Sequence, residues 1–121
     1  MGLDMYAMVT SEAIKKVVDF EAENATRLHY WRKHPNLHGW MEALYWEKGG
    51  QGDCFNCVPV ALTAADLDDL ERDIRENRLP ETAGFFFGAS DGTEIDDDLE
   101  FVAKARAALA EGKTVFYRSW W

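Results

Sequence analysis

Residues 30–46, YWRKHPNLHGWMEALYW, gather five aromatic rings, two of the three histidines and an Arg-Lys pair around a single proline. Pro35 divides the stretch. The residue before a proline is pushed out of the α region, while the missing N–H of proline costs nothing at the first position of a helix. Leu37, Trp40, Met41 and Leu44 then recur at i, i+3, i+4 and i+7, one apolar stripe on a helix that begins at Pro35. Residues 27–34 are the extended lead-in, delivering Trp31, Arg32 and Lys33 beside the helix start. At about 100° per residue, His38 falls on the polar edge of the stripe near Tyr45, neither deep in a core nor fully outside. A strand feeding a proline-headed helix is the expected place for a site.

The flanks supply the rest of a small domain. In residues 2–10, GLDMYAMVT, Leu3, Met5, Ala7 and Val9 alternate with Asp4, Tyr6 and Met8, the period of a strand. Ser11 offers an N-cap for a first helix over SEAIKKVVDFEAEN, whose apolar stripe is Ile14, Val17 and Val18. Gly49, Gly50 and Gly52 end the central helix. Residues 54–62, CFNCVPVAL, read as a strand in which Pro59 marks an edge or a bulge. Thr63 with Asp66 resembles a capping box for a helix that buries Leu67, Leu70 and Ile74 and ends over residues 77–80. GFFFG, residues 84–88, reads as a glycine-bounded strand. An acidic helix start over residues 96–98 leads into the stripe Leu99, Val102, Ala105 or Arg106, and Leu109, with Gly112 as its C′ residue. The closing TVFYRSWW alternates Val115, Tyr117, Ser119 and Trp121 against Phe116, Arg118 and Trp120. Five strands thus alternate with four helices. The expected class is α+β: a small single domain over residues 1–121, with a mixed or antiparallel sheet and three to four helices.

Charge narrows the partners. Residues 1–60 carry 6 basic and 8 acidic groups and residues 61–121 carry 7 and 14, so most of the net −9 sits in the second half. General nucleic-acid binding, which rests on neutralising phosphates with a basic face, is not expected. Small ligands and basic protein surfaces remain open. No run approaches the roughly 20 apolar residues of a membrane span and no leader pattern opens the chain, so the expected location is the cytoplasm. Two cysteines make no disulfide framework.

The start MGLDMY, the central YWRK with LHGW, GFFFG and the terminal VFYRSWW together resemble a family of small bacteriophage and prophage proteins. Its members begin MGLDMY, carry WRK followed by His and Trp, and end in an FYRSxW-like strand. The likeness covers both ends and the middle of the chain; residues 11–26 depart from it by being longer than the usual spacing. Some relatives carry the name of a glycolytic kinase, but this chain has no phosphate-binding glycine loop. The resemblance implies an accessory protein of the host bacterial cytoplasm, with a counter-defence role such as sequestering a signalling nucleotide.

The sharpest constellation is aromatic and cationic: Asp4, Tyr6, Trp31, Arg32, His38, Tyr117, Arg118 and Trp120, with Trp40 beside them. Rings stacked with guanidinium groups hold a nucleobase and its phosphate, each stack contributing about 1 to 3 kcal/mol. Those eight residues are the expected binding set for a small nucleotide-like ligand, in a chain expected to have no cofactor, metal or catalytic group; such ligands often sit between subunits, so a homodimer fits. The plain alternative is that half the rings are core and that Arg32 or Arg118 pairs with Asp4 under the sheet. A second reading has the acidic half, through Asp66, Asp68 and Asp69, occupying a basic host defence protein in place of nucleic acid. A third assembles Asp4, His38 and Ser119 into a small hydrolase. Cys54 and Cys57 have redox or metal spacing, and with His34 and His38 they hold the elements of a zinc site, but CFNC leads into a strand and the ligand order is reversed, so buried thiols are expected. The acidic run lacks the spacing of a calcium loop.

Overall fold

The computed structural model describes residues 2–12, 14–52, 54–82, 90 and 93–121, so the strand expected over residues 84–88 lies outside the described residues. Among those described, the elements run β1 (Asp4–Thr10), β2 (Thr26–Arg32), α1 (Pro35–Glu47), β3 (Val60–Leu62), α2 (Ala64–Arg75), α3 (Ile95–Ala110) and β4 (Thr114–Trp120). The strands form one antiparallel sheet in the order β2-β1-β4-β3. The class is α+β, and the sheet is antiparallel rather than mixed.

Local chemistry accounts for most of these boundaries. Pro35 opens α1, and Leu37, Met41 and Leu44 are buried along it. Thr63 and Asp66 form a full capping box: Asp66 N–H donates to Thr63 Oγ1 at 3.1 Å, and Thr63 N–H donates to Asp66 Oδ2 at 2.8 Å. Asn77, in the left-handed region at φ 56°, turns the chain out of α2, and Gly112 at φ 81° does the same after α3. The buried stripe of α3 is rotated from the expected one: Asp98, Phe101, Val102, Ala105 and Ala108 face inward, while Leu99 and Leu109 are only half-buried. The indole of Trp31 explains the rotation, because it packs edge-on against Phe101 and hydrogen-bonds Asp98.

Two elements differ from expectation. Among the described residues between β1 and β2 there is no helix. The described residues between β1 and β2 form a loop on the β3 edge, where Val18 bridges Val60 and the Ala61 N–H donates to the Val17 carbonyl at 2.8 Å. The β-branched Val17 and Val18 give little to a short helix, and an open sheet edge offers them backbone partners instead. Asp19, at φ 53°, is fixed there by the Tyr45 hydroxyl and the Gln51 N–H, which hold its carboxyl below the usual range. The strand expected over residues 54–62 shrinks to Val60–Leu62 because Pro59 cannot donate to a ladder. The residues before it clamp the chain end. Asn56 Oδ1 accepts from the Trp121 N–H at 3.0 Å, and the Trp121 indole donates to the Phe55 carbonyl at 2.9 Å.

The sheet has one covered and one open face. Met5, Ala7, Trp31, Val60, Leu62, Val115 and Tyr117 point into a single core with the apolar stripes of all three helices. Asp4, Tyr6, Met8, Tyr30, Arg32, Arg118 and Trp120 point the other way and stay at least partly accessible.

Candidate functional site

Strand alternation sorts the eight expected site residues. Asp4 lies opposite Arg32 on one side and Trp120 on the other, and Tyr6 lies between Tyr30 and Arg118, so Asp4, Tyr6, Arg32, Arg118 and Trp120 share the open face. Trp31, His38 and Tyr117 lie behind the sheet in the core, at 4%, 1% and 0% exposure. The structure brings five of the eight together and separates three.

The open face carries two further residues. Tyr30 donates to Asp4 Oδ1 at 2.6 Å, a bond that holds its phenol above the usual range, and its ring lies 5.4 Å from that of Tyr6. Arg27 stands over both rings, its guanidinium carbon 5.0 Å from the Tyr6 centroid and 5.1 Å from the Tyr30 centroid. A bulge puts it there. Ala7 pairs with His29 but Met8 pairs with Arg27, so Leu28 is the extra residue and Arg27 is turned to the face that strict alternation would deny it. No signal in the sequence marked this bulge. The residues enclose a hollow of about 350 Å³ lined by Tyr6, Met8, Arg27, Cys57, Arg118 and Trp120. Arg32 lies 3.8 Å from Asp4, whereas Arg27 and Arg118 make no ion pair among the described residues. In a chain with 22 acidic and 13 basic groups, two guanidiniums with no ion pair among the described residues stand together on one hollow. Such a site suits an anion carried on a flat ring.

Behind the sheet, His38 and Tyr117 are enclosed. His38 is a core residue, against the expectation of a stripe edge: its Nδ1 lies 2.7 Å from the Tyr117 hydroxyl, and its ring packs on Phe55 and Tyr117. Burial lowers its pKa to about 4, so it is neutral near neutral pH. Burial likewise drives the Tyr117 phenol far up, the neighbouring Ser119 hydroxyl offsetting part of this. The Asp4, His38 and Ser119 set does not assemble, since Asp4 is on the open face and the other two are buried. The zinc set is not assembled either: Cys54 and Cys57 are exposed, and His34 is engaged by Ser90 and Asp98. Thiol burial was expected and is not found.

The acidic helix is internally neutralised. Asp66 pairs with Lys48, Asp69 with Arg72, and Asp68 and Glu71 with Arg106. Compared with models of known families, with curated proteins and with solved structures, the chain matches none.

Proposed function

We propose that this chain is a phage or prophage accessory protein that captures a small nucleotide-like ligand on the open face of its sheet, in a counter-defence role. The observation that carries the reading is the pair of guanidiniums, Arg27 and Arg118, that make no ion pair among the described residues and line one hollow with Tyr6 and Trp120. A base stacks on the exposed Trp120 indole or the Tyr6 ring, and phosphate oxygens accept from Arg118 and Arg27. The volume is that of a small-molecule cleft, about 300 to 1,000 Å³. The internal pairing of Asp66, Asp68 and Asp69 weighs against the mimicry of nucleic acid by the acidic half.

Thermal-shift titration with mono-, di- and cyclic nucleotides tests this. A ligand at a hundredfold excess over its Kd stabilises the fold by about 2.7 kcal/mol. The expected result is a rise in Tm with at least one nucleotide class, abolished in Arg118→Ala. No shift with any of them removes the reading.

A further inference from the structure

A second constellation lies on the other side of the sheet, where α1 begins and α3 passes it. Ser90 Oγ is 2.6 Å from His34 Nδ1, and His34 Nε2 is 2.8 Å from Asp98 Oδ2. His34 and Asp98 are 3% and 1% exposed, while Ser90 is half-buried. With Asp98 ionised and His34 neutral, one proton arrangement satisfies every bond. Asp98 Oδ1 accepts from the Trp31 indole at 3.0 Å, so its other oxygen takes the His34 Nε2–H and leaves Nδ1 to accept from the Ser90 hydroxyl. Ser90 Oγ in turn accepts from the Asn36 N–H at 3.1 Å, in the first turn of α1. Donation thus runs from Ser90 to His34 to Asp98, and the Trp31 indole donates to the same carboxylate from the other side.

We propose that Ser90, His34 and Asp98 form a nucleophile, base and orienting carboxylate for acyl transfer from a small ester, an activity separate from ligand capture on the open face. A helix cap needs only the Ser90 oxygen and the Asn36 N–H; it does not need a buried imidazole on the hydroxyl or a buried carboxylate behind that imidazole. Placing an ionisable His–Asp pair in the interior is costly, and a hydroxyl, an imidazole and a carboxylate in hydrogen-bonded series are the parts of an activated nucleophile. The set borders a cavity of about 40 Å³ lined by His34, Asn36, Ser90 and Asp98 with the apolar Ile74 and Leu79. That is room for a water or a short acyl group and no more. In the first step Ser90 Oγ bonds to the acyl carbon, its proton passes to His34 Nδ1, and the ester C–O bond breaks as the alcohol leaves with that proton. In the second, water gives a proton to His34 and its oxygen to the acyl carbon, the acid departs, and Ser90 recovers its proton. The partial positive charge at the start of α1 favours the developing oxyanion.

The full chain treated with a fluorophosphonate and mapped by peptide mass tests the nucleophile. An adduct on Ser90 is expected, together with hydrolysis of p-nitrophenyl acetate that disappears in Ser90→Ala and falls about a hundredfold in kcat/KM in His34→Gln. No adduct on Ser90, or ester hydrolysis unchanged in Ser90→Ala, overturns the proposal. Asp98 is a positioning residue, read by nitrogen NMR of the His34 ring in the unaltered chain. The proton is expected on Nε2, shifting toward Nδ1 in Asp98→Asn; a proton on Nδ1 in the unaltered chain also overturns it.

Discussion

The two faces of one sheet are built from alternate residues of the same strands, yet they treat polar groups in opposite ways. On the covered face the large polar side chains are enclosed against one another: Trp31 and His34 meet at Asp98, and Tyr117 meets His38. On the open face, Arg27 and Arg118 make no ion pair among the described residues and Trp120 is 67% exposed. The interior must satisfy what it buries, because an unmatched polar group there costs about 1 to 3 kcal/mol. The open face is under no such constraint, and what it leaves unpaired is available to a ligand.

Breaking the covered face should cost most at Asp98. Replacing it with Ala leaves the Trp31 indole N–H and the His34 ring buried without their acceptor, and urea unfolding should show a loss of about 3 to 5 kcal/mol. Acid should act next, through His38. Its folded pKa of about 4 lies below the unfolded value of 6.5, so the unfolded state binds the proton first as pH falls. Stability attributable to this residue should be intact above about pH 6.5 and fall by about 3 kcal/mol by pH 4, with no further loss below. A His38→Gln variant should lack that limb of the stability profile, and an unchanged limb would show that another group causes it. A smaller effect is expected at Gly39. A Cβ there would stand 1.9 Å from Thr82 Oγ1 and 2.9 Å from Thr82 Cβ, so Gly39→Ala must push the segment at Thr82 off α1 at about 1 to 3 kcal/mol. Loss of the 3.0 Å bond from the Thr82 N–H to Asn36 Oδ1, seen as faster amide exchange at Thr82, would confirm the displacement. Least of all, Trp120→Ala on the open face should change stability by no more than about 0.5 kcal/mol while removing nucleotide binding. A large loss of stability there would mean that the indole is structural.

What could be read from the sequence was what short-range chemistry decides. Pro35, the Thr63 and Asp66 cap, Gly112 and the alternation of β1 and β4 each act within a few residues, and each stands where expected. The first helix failed because the competing partners of Val17 and Val18 come from β3, more than forty residues later. Alternation separated Tyr117 from Arg118 but did not say which side the helices would cover, so the expected site mixed both faces. His38 was placed at a stripe edge because the rings that enclose it, Phe55 and Tyr117, belong to other elements. Arg27 was hidden by the bulge at Leu28, and Asp98 by its neighbours: in an acidic run it reads as a solvated helix start, yet it alone of the three is drawn inward. A buried indole at Trp31 needing an acceptor was the one available hint.

The most direct test is a nucleotide titration followed by NMR on side-chain and backbone signals of both faces together. The two-faced account predicts that the Trp120 indole and the Tyr6 and Arg118 amides move in a saturable way while the Trp31 indole stays still. Movement centred on Trp31, or no saturable movement at Tyr6, Arg118 and Trp120 with any nucleotide class, would contradict it.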